Sequence, residues 1–163
     1  MAAQSDFFLK IETIEGESQD SVHGKEIQIF ELTFGVANTG RGGMGSGSST
    51  GKAAWQDMEF GKFVDKASPA LFMACASGKT VGEATITCRK ASGDKPIEYL
   101  VYKLREVFVS DVKVHGVEDG GVAKETLKIN FAYIEIAYTV QLDTGFAGPK
   151  TVKWADLKKN TFG

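Results

Sequence analysis

The residues whose types and spacing come nearest to doing chemistry lie in GRGGMGSGSSTGKA, residues 40–53. Gly40, Gly42 and Gly45 match G-x-G-x-x-G, and Gly51-Lys52 resembles the end of a phosphate-binding loop, so nucleotide binding is the first chemistry to weigh. Glycines of a dinucleotide fingerprint let the backbone approach a pyrophosphate seated at the N-terminus of the helix that follows, where free N–H groups and the helix dipole hold the anion. Here the following segment, KAAWQDMEFGKF, alternates like a strand, with Gln56, Met58 and Phe60 on one face and Trp55, Asp57 and Glu59 on the other. The helix is missing. The phosphate-loop pattern fails on residues as well, since it needs glycine where Ser46 stands and a magnesium-binding hydroxyl where Ala53 stands. No nucleotide or other cofactor is expected.

Other catalytic groups are few. The two histidines, His23 and His115, fall in polar stretches that read as turns, and neither stands beside a cysteine or a second ligand at metal-binding spacing. Both are expected to be solvent-exposed. Cys75 and Cys88 sit inside apolar patterns, where a free thiol behaves as a small hydrophobe, and are expected to be buried and unpaired. Glu15, Glu17 and Asp20 share one loop and read as a solvated surface rather than a paired acid and base. No catalytic or metal-ligating set emerges, and no enzyme is expected.

Composition narrows the remaining classes. With 42% hydrophobic and 25% charged residues among 163, the chain has the makeup of a globular protein, and its length fits one domain over residues 1–163. The 19 Lys and Arg are outnumbered by 21 Asp and Glu and neither sign is clustered, which disfavours nucleic acid as a partner. The opening MAAQSDFFLKIETIEGE lacks the basic and apolar regions of a secretory signal peptide, so cytoplasmic synthesis is expected. No run of 18 apolar residues is present, and no membrane insertion is expected.

The elements that must position any site are mostly strands. DFFLKIETI alternates, with Phe7, Leu9 and Ile11 on one face and Phe8, Lys10 and Glu12 on the other. EIQIFELTFGV begins with Ile27 and Ile29 on one phase and continues with Phe30, Leu32, Phe34 and Val36 on the other. That one-residue slip predicts a β-bulge near Ile29-Phe30, with Glu31, Thr33 and Gly35 pointing away from the core. DKASPALFMACASGK breaks the alternation: Ser68 as N-cap, Pro69 at the first helical position and Gly78 as the stop predict one short helix over about residues 68–77. Strands resume with Ile86 and Cys88 inward, then Leu100, Tyr102 and Leu104, then Leu127, Ile129 and Phe131. A second slip, to Ile134, Ile136 and Tyr138, predicts a bulge near Tyr133, and TVKWADL supplies a last short strand. SGDKP and HGVEDGGV are turns by composition. Seven or so strands and one helix predict a mainly β fold, a barrel or sandwich. The glycine stretch then connects two strands, and a connection of that length is uncommon unless it orders against another surface.

Together these segments resemble the haemolysin-coregulated protein (Hcp) family of the bacterial type VI secretion system. The resemblance runs through IEGES, ELTFGV, QDMEFGKFVDKASPALFMACASGK, EATITCRKASGDKPIEYLVYKLREVFVS, LKINFAYIEIAY and GPKTVKWADLKKN, most specifically in DKASP…ACASGK followed by RKASGD. It implies a small β-barrel of two packed antiparallel sheets carrying one short α-helix, copies of which close into a hexameric ring. It further implies rings stacked into an inner tube, tipped by a trimeric spike protein and propelled by a contractile sheath into a neighbouring cell, with effector proteins held in the lumen. Such proteins assemble in the cytoplasm and leave through the apparatus without a signal peptide. By the same resemblance the loop from Asn38 to Lys52 contacts the next ring, with Arg41, Gly42, Gly43, Met44, Gly45, Ser48 and Lys52 as its contact residues, and Thr33, between Leu32 and Phe34, faces the lumen. The competing expectation is a monomeric β-barrel binding module whose glycine-rich loop grips a ligand.

Overall fold

The computed structural model describes residues 6–38, 52–92 and 95–163. Its strands are β1 (Phe7–Ile11), β2 (Ile27–Ile29), β3 (Glu31–Thr33), β4 (Val36–Asn38), β5 (Ala53–Trp55) and β6 (Met58–Phe63), then, after the helix α1 (Ser68–Ser77), β7 (Ala84–Lys90), β8 (Ile97–Arg105), β9 (Phe108–His115), β10 (Lys124–Asn130), β11 (Tyr133–Gln141), β12 (Ala147–Asp156) and β13 (Thr161–Phe162). They form a seven-stranded sheet in the order β13-β12-β11-β8-β7-β1-β2, a four-stranded sheet β3-β6-β10-β9, and a β4-β5 pair. All pairings are antiparallel, as expected for a mainly β fold of two packed sheets with one helix. The facing sides supply one core, with Leu9, Ile27, Ile86 and Leu104 from the wide sheet and Met58, Phe60, Leu127 and Ile129 from the narrow one.

Both predicted bulges are instead corners between the sheets. β2 pairs with β1 in the wide sheet, whereas β3, one residue on, pairs with β6 in the narrow one. Phe30 forms the corner and is exposed, not inward. Likewise β10 belongs to the narrow sheet and β11 to the wide one, with the crossing at Phe131-Ala132. The run from Ile97 to His115 divides in the same way at Glu106-Val107, where Glu106 takes a positive φ of 53°. Tyr138 and Val36, expected inward, are exposed, and the seven-stranded sheet is wider than the four-stranded sheet facing it. True register shifts occur elsewhere, at Cys88/Arg89, Lys128/Ile129 and Thr139/Gln141.

The helix occupies the expected residues with its cap one residue earlier. Ala67 is the N-cap and makes no side-chain cap bond, while Ser68 is already helical and its Oγ accepts the Asp65 N–H at 3.0 Å. Gly78 ends the helix as expected, at a φ of 65° that suits glycine, its N–H reaching the carbonyls of Ala74 and Cys75. Of the apolar helix residues Leu71 is buried, while Phe72 and Met73 are exposed. No helix among the described residues is long and apolar enough to cross a membrane.

Candidate functional site

Pairing in the narrow sheet sets which side chains share a face. Phe60 and Leu127 point into the core, so residues one step away point outward. One outward row runs across all the strands of this sheet, Thr33 beside Glu59, Glu59 beside Lys128, Lys128 beside Asp111. A second row places Glu31, Gly61, Thr126 and Lys113 side by side. Thr33 is exposed, and Lys128 Nζ lies 3.6 Å from Glu59 Oε2. Both signs of charge alternate over this face, and exposed pairs of this kind are weak and screened by salt. Its chemistry is that of a solvated surface of mixed charge.

At the other candidate, Lys52 is exposed beside β5, whereas Arg41, Gly42, Gly43, Met44, Gly45 and Ser48 lie outside the described residues. Asn38 and Ala53, which flank that segment, are register partners. Phe34 and Trp55 pack with Phe131 beneath them, at centroid separations of 5.8 Å and 6.5 Å. Trp55 had been assigned by alternation to the face opposite Met58, but β5 ends at Trp55 and β6 begins only at Met58, so the phase of one does not carry into the other.

His23 is not a solvent-exposed turn residue. It is buried, stacked on Phe8 at 4.5 Å, and each ring nitrogen meets a carboxylate: Nδ1 lies 3.0 Å from Glu26 Oε2 and Nε2 lies 2.8 Å from Glu98 Oε1. Phe8 is buried by this contact, although alternation placed it outward with Lys10; Arg89 covers its ring at 4.6 Å. Asp20 also leaves the solvated surface expected of it. Arg89 donates to both of its oxygens, at 3.1 Å and 2.8 Å, and these bonds, helped by the Val22 and His23 N–H groups, hold its carboxyl down to about 2. The cluster fastens the loop between β1 and β2 onto the wide sheet. Glu15, Glu17 and His115 are exposed as expected. Both cysteines are free; Cys88 is buried, which pushes its thiol up to about 11, and Cys75 is half-buried.

A buried ion pair escaped the sequence reading. Lys62 and Glu125 are register partners of β6 and β10, both fully buried, with Lys62 Nζ 2.6 Å from Glu125 Oε2 and 2.9 Å from Asp65 Oδ1. Ser68 Oγ donates to the same Glu125 oxygen, tying the start of α1 to the sheet. The signal was present, since Lys62 continues the phase of Met58 and Phe60, and Glu125 that of Leu127 and Ile129. Among the described residues no group of three or more His, Cys, Asp or Glu is arranged to hold a metal ion.

A family model described as "Type VI secretion system effector, Hcp" matches residues 8–138. Protein hcp1 of Pseudomonas aeruginosa is 38% identical over 157 residues, which cover 95% of this chain and 96% of that protein. Hcp1 from Salmonella typhimurium, a solved structure, shares 32% identity over 96% of this chain and 97% of its own, with a TM-score of 0.77. A solved type six secretion system protein superposes with a TM-score of 0.90 at 27% identity, covering 98% of this chain and 99% of that one. With most of its length matched in sequence and its two-sheet architecture reproduced, the chain belongs to the Hcp family of the type VI secretion system.

Proposed function

We propose that this chain is the tube subunit of its secretion system: a hexameric ring that stacks into the inner tube, is driven by a contractile sheath behind a trimeric spike, and carries effector proteins in its lumen. It works as one domain over residues 1–163, assembles in the cytoplasm and leaves through the apparatus, without catalysing a reaction. The observation that carries this reading is a narrow sheet, on an Hcp chain, that ends in two different edges, β3 and β9. Unpaired edges invite other chains, and joining one edge to the other kind on a neighbour is a head-to-tail contact that closes when the rotation suits a ring. The outward rows of that sheet then form the lumen wall, with Thr33 at the effector-facing position. The segment with Arg41, Gly42, Gly43, Met44, Gly45, Ser48 and Lys52 serves stacking between rings.

Sedimentation at micromolar concentration tests the ring, with a species at a sixfold multiple of the 17.6 kDa chain expected. Material that sediments only as single chains refutes it. Thr33→Arg is expected to leave the ring mass unchanged and to reduce effector recovered with the ring.

A further inference from the structure

The loop between β9 and β10 covers residues 116–123, and every residue from Lys113 to Val122 is exposed. It contains Asp119-Gly120, the one place in the sequence where an aspartate or asparagine precedes glycine. Asp119 folds its carboxyl back over the chain: Oδ1 accepts the Gly121 N–H at 2.8 Å, while the Asp119 N–H donates to the Val117 carbonyl at 2.9 Å. The hydrogen-bonded ring closed by Oδ1 includes the Gly120 nitrogen, so carboxyl and nitrogen are held on one side of a tight turn. Gly120 takes a φ of 84°, which suits glycine, and a Cβ built on it would meet nothing within 4 Å. No packed neighbour holds that peptide against rotation. Asp20 and Asp65 are the contrast, since Arg89 and Lys62 engage their carboxylates and a side chain stands on each following residue, Ser21 and Lys66.

We propose that Asp119-Gly120 is a self-modification site, at which the folded chain converts aspartate to isoaspartate through a succinimide. The Gly120 nitrogen attacks Asp119 Cγ, forming the N–Cγ bond and giving its proton to water. The Gly121 N–H, already on Oδ1, donates to the oxygen on which charge develops, as an oxyanion donor does, and proximity within one turn replaces a bimolecular encounter. Oδ2 then leaves as water once protonated, and the five-membered ring is complete. A second water opens the ring. Attack at Cγ restores aspartate, whereas attack at the backbone carbonyl carbon of Asp119 breaks its bond to the Gly120 nitrogen and leaves the chain running through Cβ and Cγ. One water leaves and one enters, so the mass is unchanged and no other reagent is consumed. The product keeps one carboxylate but lengthens the main-chain path by one carbon. It lies beyond the closing His115–Lys124 pair of the β9-β10 ladder, so the end of the narrow sheet changes shape while the ladder stays paired. None of this depends on the assembly proposed above.

The test incubates the full-length folded protein at pH 5 and 37 °C in water enriched in heavy oxygen, followed by peptide mapping with electron-transfer fragmentation, which separates isoaspartate from aspartate. One heavy oxygen and a β-linked residue are expected at position 119, at a rate at least tenfold above that of any other aspartate. Asp119→Glu, whose ring would have six members, is expected to lower conversion at this position at least tenfold. A synthetic peptide of residues 113–125 serves as the positive control for the chemistry. Conversion in the peptide but none in the folded chain overturns the inference, and so does label spread evenly over the aspartates. Gly121→Pro removes the amide donor and keeps the reacting pair, and is expected to slow the reaction at least threefold; an unchanged rate overturns the part given to that N–H.

Discussion

Replacing Lys62 with methionine, a side chain of similar length, removes a cation from between Glu125, Asp65 and Ser68. Its Nζ lies 2.6 Å, 2.9 Å and 3.1 Å from their respective oxygens. What remains is a carboxylate with no solvent exposure, satisfied on one oxygen by Ser68 Oγ at 2.6 Å and unpartnered on the other, Oε1. Breaking a buried pair from one side costs about 3–5 kcal/mol, chiefly because the surviving charge keeps its desolvation penalty. At roughly 2–4 °C per kcal/mol for a chain of this size, Tm is expected to fall by about 10 °C. Adding Glu125→Leu to the variant removes the stranded charge and is expected to recover most of the loss. Guanidinium denaturation followed by tryptophan fluorescence reads the cost, with protein concentration fixed because association shifts the transition. A single variant within 1 kcal/mol of its parent, or a double variant no better than the single, refutes the reasoning.

Folded protein treated with iodoacetamide at pH 8 is expected to take up one adduct per chain, on Cys75, because burial keeps Cys88 neutral and out of reach; two adducts by mass spectrometry contradict this. The Arg89 hydrogen bonds hold the folded Asp20 carboxyl down to about 2, below its ordinary 3.8, so its contribution to stability is complete above about pH 5 and lost as pH falls toward 2. Asp20→Asn is expected to be less stable than its parent at pH 6 and to converge with it near pH 2, which a denaturation series across that range checks. Gly16→Ala sets a Cβ 2.5 Å from the backbone oxygen of Glu26, and overpacking of this kind costs about 1–3 kcal/mol. Calorimetry showing an unchanged Tm would mean that the loop yields.

Alternation reveals Leu9, Ile86 and Leu127 as core because a strand with one buried face must repeat every second residue. It does not separate a bulge from a corner, since both shift the apolar phase by one residue. What distinguishes them at Phe30 and Phe131 is the strand each half pairs with, which is non-local information. His23 shows the same limit, because Glu98, 75 residues away, turns a polar loop histidine into a buried one. Lys62 was partly readable: a charge in an apolar phase on one strand, answered by an opposite charge in an apolar phase on another, is the mark of a buried pair. At the candidate site, the outward direction of Thr33 followed from Leu32 pointing inward, while its row with Glu59, Lys128 and Asp111 required the register. Residues 39–51 of the glycine-rich segment lie outside the described residues.

At Phe30, Glu106-Val107 and Phe131-Ala132 the backbone steps from one layer to the other within one or two residues. Layers held only by interdigitated side chains slip past each other under shear, because dispersion contacts re-form wherever the surfaces come to rest. Here three seams rivet the plates, and slippage must first tear ladder hydrogen bonds beside each seam. A load that shears one layer against the other then travels through covalent bonds, and the two sheets move as one stiff body.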